Sequence, residues 1–149
     1  RLFKGEIIME GTNIIEGKIV ADDRGTVKFV NDFNFMGVKR FYQVENHRRG
    51  FIRAWHCHRL EGKYVYVSTG AALIGVVEFE KENAIPQKFV LCEELPKVLW
   101  IPPGYGNGFM SLRDNTKIIF YSTATIEETK GDDVRFDYDT WDIWKEEYR

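Results

Sequence analysis

A chain of 149 residues is about one domain long, and its 44% hydrophobic and 30% charged content is ordinary for a globular protein. Lysine and arginine number 21 against 23 aspartates and glutamates, and a formal charge of −2 leaves no electrostatic footprint for nucleic acid or an anionic membrane surface. Two cysteines, Cys57 and Cys92, make no disulfide framework, and with no leader or long apolar stretch visible the expectation is one cytoplasmic domain over residues 1–149.

Taken in chain order, GEIIMEG (5–11) and EGKIVADDRG (16–25) are short β-type runs that alternate or end at glycine. VKRFYQVEN (38–46), GKYVYVSTG (62–70), AALIGVVEFE (71–80), QKFVLCEE (87–94), KVLWIPPG (97–104) and KIIFYSTAT (117–125) follow, rich in Val, Ile, Tyr and Phe and separated by Gly, Pro, Asn and Asp clusters. In YVYVS, Tyr64, Tyr66 and Ser68 face one way and Val65 and Val67 the other, which predicts a half-buried strand. Helix signals are few. DTWDIWKEEYR (139–149) carries Trp141, Trp144 and Tyr148 at i, i+3 and i+7, so a short terminal helix is predicted there. Regular short strands with turn signals between them imply an all-β sandwich or barrel.

The chemistry-bearing stretch runs from Gly50 through five residues to His56-Cys57-His58, then four residues to Lys63 and six more to Gly70. A second element, Pro102-Pro103-Gly104-Tyr105-Gly106-Asn107, follows in order. These spacings resemble the two motifs of the cupin superfamily, which implies a jelly-roll β-barrel. A metal-holding cupin takes His, His and Glu from the first motif and His from the second. Here Lys63 and Asn107 stand at the last two positions, and Glu61 is two residues out of register. An ammonium repels a divalent cation and an amide is a poor replacement for imidazole, so no metal ligand and no cofactor is expected. Two histidines and a lysine in one pocket suit abstraction of a proton next to a ketone, with a base that titrates near neutral pH and a cation at the developing enolate. His56 and His58, two apart on a presumed strand, share a face; Lys63, at odd spacing, must be reoriented by the intervening turn. The plainer reading of the same residues is a polar barrel lining in a sugar-binding cupin without catalysis.

From Asp22 to about Asp139 the chain further resembles the dTDP-4-dehydrorhamnose 3,5-epimerase family. "D-x-R-G" is matched by Asp22-Asp23-Arg24-Gly25, and the stretch ending "L-R-G-L-H" loosely by Gln43 through His56 with Arg53 at the arginine. "Q-G-K-L-V-R-V" is matched by Glu61-Gly62-Lys63-Tyr64-Val65-Tyr66-Val67, and "L-W-I-P-x-G-F-A-H-G-F" by Leu99 through Phe109. "L-Y-K-x-T" is matched by Phe120-Tyr121-Ser122-Thr123. The resemblance implies that His56 is the base, Lys63 stabilises the enolate and Tyr121 reprotonates from the opposite face. It implies that Arg24 and Arg53 hold a diphosphate, and that Asn107, Trp100 and Gln43 belong to the substrate site. It also implies a nucleotide-diphosphate sugar as substrate and a homodimer in which the N-terminal strand and arginine complete the partner's site.

The sequence departs from the family where Asn107 replaces a pocket histidine, and the family's C-terminal segment, with the aspartate that pairs with the catalytic histidine, lies beyond residue 149. Asp132, Asp133, Asp137 or Asp139 could take over that pairing with His56. A second resemblance is to the dTDP-4-keto-6-deoxyhexose 3,4-ketoisomerases, whose "K-R-x-Y" and "R-G-F-H-A-H-K" are matched by Lys39-Arg40-Phe41-Tyr42 and Arg53-Ala54-Trp55-His56-Cys57-His58-Arg59. In that reading His58 acts at a second carbon. Trp55 and Trp100 read first as core aromatics, and His47 as a loop residue.

Overall fold

The structure is a computed structural model that describes residues 2–3 and 6–7 by their backbone and residues 11–149 in full. Most of the predicted run GEIIMEG therefore lies outside the described residues; β1 (Leu2–Phe3) and β2 (Glu6–Ile7) pair antiparallel. The chain continues through β3 (Asn13–Glu16), β4 (Lys18–Asp22), β5 (Gly25–Phe29), β6 (Arg40–Asn46), β7 (Ile52–Cys57) and β8 (Lys63–Thr69). It then forms β9 (Ala71–Val77), β10 (Gln87–Cys92), β11 (Lys97–Ile101), β12 (Gly106–Ser111) and β13 (Thr116–Ser122), followed by α1 (Ile126–Lys130) and β14 (Val134–Arg135). Among the described residues no helix is long and apolar enough to cross a membrane.

Two five-stranded antiparallel sheets, β10-β9-β12-β7-β14 and β3-β11-β8-β13-β6, face each other in the layered β architecture the sequence implied. Alternation decides what lies between them. In β8, Val65 and Val67 are buried while Tyr64 and Tyr66 point away, as their period predicted. Ile74 and Val76 of β9, Leu99 of β11 and Ile118 and Phe120 of β13 meet those valines in one core.

A second, smaller core lies on the far side of the β10-β9-β12-β7-β14 sheet, around Trp55 and Cys57. The C-terminal segment covers it, and here the structure corrects the sequence expectation. Residues 139–149 form turns and irregular chain rather than a helix, and the helix of the described residues is α1 instead. Trp141 and Trp144 pack their rings 5.5 and 5.3 Å from Trp55, and the indoles of Trp55 and Trp144 both donate to the Tyr138 carbonyl. An 11-residue helix is marginal by itself, so packing of the indoles overrides the spacing that favours one. α1 is fixed by a capping box in which Thr125 and Glu128 satisfy each other's backbone N–H groups.

The two cores pinch the sheet where Gly106 of β12 pairs with Cys57 of β7, and a Cβ on Gly106 would run into the fully buried Cys57 sulfur. Gly106→Ala is expected to destabilise the fold by about 1–3 kcal/mol through overpacking. A lower urea midpoint at unchanged slope would show it; an unmoved midpoint would mean that the two strands separate without cost.

Candidate active site

The site begins with an irregularity in strand pairing. Asn107 of β12 pairs with His56 of β7 while Phe109 pairs with Arg53, so two steps on β12 oppose three on β7. β7 is bulged there, opposite Gly108, where a Cβ would collide with that of Ala54. Even alternation would send Arg53 and His56 to opposite faces. The bulge puts both on the inner one, while Trp55 turns into the outer core.

Beyond β7 the chain must turn and enter β8 with Lys63 pointing inward. The Asp132 carboxylate holds this turn, accepting the backbone N–H groups of Arg59, Leu60 and Glu61 at 2.7, 2.9 and 3.0 Å. Gly62 N–H donates to Thr123 Oγ1 at 2.8 Å, and any side chain at Gly62 would meet the Trp100 ring. The turn supplies the reorientation that the odd His-to-Lys spacing required.

His56, His58, Lys63, Arg53 and Asn107 all line one cavity of about 260 Å³ between the sheets. Arg40 and Tyr42 from β6 and Arg135 of β14 also line it, although the sequence reading did not assign them to the site, and so does Asp133 beside β14, one of the four aspartates offered as a partner for His56. The signal for Tyr42 was present, since the K-R-x-Y match names it; alternation on β6 then separates inward Arg40 and Tyr42 from outward Phe41 and Gln43. Among the described residues no group of three His, Cys, Asp or Glu side chains is placed to hold a metal ion.

The cavity is electrostatically tense. Burial, then the neighbouring Lys63 and Arg135, push the His56 proton affinity down to a pKa of about 4. Burial and Lys63 likewise lower His58, while Glu61, Asp132 and Asp133 oppose them. Lys63 is itself lowered by burial, with Glu61 working against the shift, and its ammonium lies 5.9 and 5.7 Å from the Tyr42 and Phe120 ring centroids. Burial, reinforced by Glu61, raises the Tyr42 phenol well above its ordinary value, so it stays protonated through the neutral range. Glu61 lies behind the cavity with no exposed side-chain surface, accepting hydrogen bonds from Ser122 Oγ and Thr129 Oγ1.

Other residues that the resemblance assigned to the site lie elsewhere in this chain. Ser122 and Phe120 of β13 point inward, so Tyr121 between them points out and packs its ring 5.4 Å from Phe33 and Phe35. Tyr121 thus sits on the opposite face of the sheet from the cavity, and the phenol that lines the cavity is that of Tyr42. Trp100 also faces outward and lies against Tyr64 at 4.4 Å, while Gln43 is exposed on β6. Arg24 sits at the tip of the β4–β5 hairpin, highly exposed and paired with Asp22 at 2.6 Å. Trp55 is a core residue, as first read.

Two facing antiparallel sheets with a polar cavity between them, walled by the His-x-His element and its partner strand, define a cupin. The family model for dTDP-4-dehydrorhamnose 3,5-epimerase matches residues 6–147, and the chain belongs to that isomerase family. It is 28% identical over 125 residues to the dTDP-4-dehydrorhamnose 3,5-epimerase of Salmonella typhimurium, covering 74% of this chain and 67% of that one. The chain thus spans about two thirds of the length of that relative. The solved dTDP-4-dehydrorhamnose 3,5-epimerase of Sulfolobus tokodaii superposes with a TM-score of 0.74 at 26% identity, over 93% of this chain and 85% of that one. A 3,4-ketoisomerase from Helicobacter canadensis shares the fold at a TM-score of 0.66 and 17% identity, over 87% of this chain and 92% of that one.

The buried histidine makes stability depend on pH. Between the ordinary value of 6.5 and about 4 the unfolded chain binds a proton at His56 that the folded chain does not. Stability is therefore greatest above this window and falls as pH drops through it. His56→Gln is expected to flatten that acid limb, read as urea midpoints measured from neutral pH downward; an unchanged slope would show that His56 titrates normally in the fold.

Proposed function

We propose that this chain epimerises a nucleotide-activated 4-keto-deoxy sugar at C3, C5 or both, by proton abstraction and reprotonation through an enolate. The observation that carries the reading is the burial of the Lys63 ammonium in the same small cavity as two histidines held neutral. A preorganised cation in a low-dielectric site stabilises an oxyanion far better than water does. The C4 carbonyl oxygen is assigned to Lys63. His56 takes the proton from the neighbouring carbon as that C–H bond breaks, and the electron pair moves onto the oxygen. Reprotonation falls to Tyr42, whose phenol keeps its proton at neutral pH and lines the cavity from the sheet that faces His56.

At about 260 Å³ the cavity is smaller than the range of about 300–1,000 Å³ that takes a drug-sized ligand whole, so it suits the sugar alone. The diphosphate then lies at the mouth, where Arg53 and Arg135 supply positive charge. In the homodimer that belongs to this reading, the exposed Arg24 reaches the cavity of the second copy. The outer sheet face supports such a dimer, because Phe35 and Phe41 are 62% and 69% exposed there. A cytoplasmic site of action fits a nucleotide-sugar substrate.

His58 beside His56 favours a second reading, a 3,4-keto shift, because two bases in one cavity can move a proton between adjacent carbons. Incubation with a dTDP-4-keto-6-deoxy sugar in D2O separates the possibilities. Deuterium at C3 or C5 with the ketone kept at C4 is the expected result, and His56→Ala should abolish it. A ketone moved to C3 selects the keto shift, and nucleotide binding without exchange would make the protein a binding cupin.

The two tyrosines give an independent check. Tyr42→Phe is expected to lower kcat by about 10²–10⁴-fold, whereas Tyr121→Phe should leave it near the parent value. The reverse pattern in steady-state kinetics would remove Tyr42 from the mechanism.

A further inference from the structure

A buried carboxylate is costly unless its oxygens are fully paired, and Glu61 is paired in an instructive way. Oε2 receives the Ser122 hydroxyl and lies 3.6 Å from Arg40 Nη2. Oε1 receives the Thr129 hydroxyl at 3.1 Å and lies 3.4 Å from Nε2 of His58. The two hydroxyls and the guanidinium anchor the carboxylate from β13, α1 and β6, while the imidazole is the titratable partner that also lines the cavity. Asp133 Oδ1 lies 3.8 Å from the same nitrogen, and that carboxylate is itself tied to Arg135 at 3.0 Å. Both carboxylates thus approach His58 at Nε2, and an unprotonated Nε2 there would set a lone pair against two anions.

We infer that Glu61 is a positioning residue for His58: it fixes the ring proton on Nε2 and leaves Nδ1 with the lone pair, making His58 a further proton-transfer group of the cavity beside His56 and Tyr42. The pairing supplies the histidine–carboxylate partnership for which the sequence offered only Asp132, Asp133, Asp137 or Asp139, and it falls on His58 rather than His56. Asp132 is occupied instead by the backbone of the turn. The charged groups facing His58 are Lys63, which disfavours its cation, and Glu61, Asp132 and Asp133, which favour it; His56 stands beside it in the cavity. The catalytic consequence rests on the function proposed above, whereas the tautomer and titration of His58 do not.

The test is nitrogen-15 NMR of the histidines in the unmodified protein and in Glu61→Gln, with pH–rate profiles of deuterium exchange on the same samples. Unmodified protein should show His58 protonated on Nε2. Glu61→Gln should move the His58 midpoint to lower pH without comparable movement at His56, because the anion that favoured the imidazolium is gone. The kinetic inflection that His58 contributes should move the same way, with the plateau rate lowered roughly 10- to 100-fold, a part of what a full acid–base group supplies. Glu61→Asp should recover some of both. An Nδ1–H tautomer in the unmodified protein, or a rate that falls with the His58 midpoint and the profile unmoved, would overturn the assignment. The tautomer measurement needs no variant, so it decides the question even if Glu61→Gln fails to fold. If the Nε2–H tautomer and the midpoint shift appear but no 4-keto nucleotide sugar exchanges protons, the functional reading fails and the Glu61–His58 pairing stands.

Discussion

The Asp132 carboxylate takes three consecutive backbone N–H groups from the turn between β7 and β8, and the interior chemistry depends on that one grip. The turn carries His58 at its start, Glu61 near its end and Lys63 at the first position of β8. A turn with unpaired amides would be pulled toward water, because buried backbone donors must be satisfied. Asp132 satisfies them from just beyond α1, so the residues after β13 brace the loop that the cavity needs. Function thus draws on a segment far away in sequence that contributes no reacting group.

Inside the cavity, charge balance matters more than any single residue. Burial and then Lys63 make the imidazolium form of either histidine unfavourable, and Arg135 adds to the effect at His56. Burial lowers the lysine's proton affinity, and the carboxylates of Glu61 and Asp133, set behind and beside the cavity, oppose that shift. In the proposed mechanism the arrangement separates roles by environment: a cation for a developing oxyanion, neutral imidazoles as bases, and a phenol that keeps its proton. In a cupin that holds a metal, the ion would supply the positive charge. Here the ammonium of Lys63 stands at the position of a carboxylate ligand.

The sheets impose their own discipline. Strict alternation along β13 sends Phe120 and Ser122 inward and Tyr121 outward, while the same rule along β6 brings Tyr42 in. At the β7 bulge the rule is broken, and there Arg53 and His56 gain a common face. The outward aromatics, Tyr64, Trp100 and Tyr121 with Phe33, Phe35 and Phe41, gather on one side of the β3-β11-β8-β13-β6 sheet. That face is separate from the cavity and suited to contact with another surface.

Period-two patterning in the strands, the His56-x-His58 spacing and the exchange of Lys63 and Asn107 for metal ligands were legible from residues alone, because each depends on local order along one strand or turn. The same holds for the capping signal Thr125-x-x-Glu128 at α1, which lies in the sequence although the longer aromatic spacing at 139–149 is the more conspicuous helix pattern. Tertiary structure alone decided that the C-terminal tryptophans pack on Trp55 instead of coiling, since a marginal helix yields to a large apolar contact. It also decided which tyrosine faces the cavity and which carboxylate meets which histidine. A bulge changes the face of every residue beyond it, and the groups paired at Glu61 are 61 and 68 positions away at Ser122 and Thr129, distances that no local pattern spans.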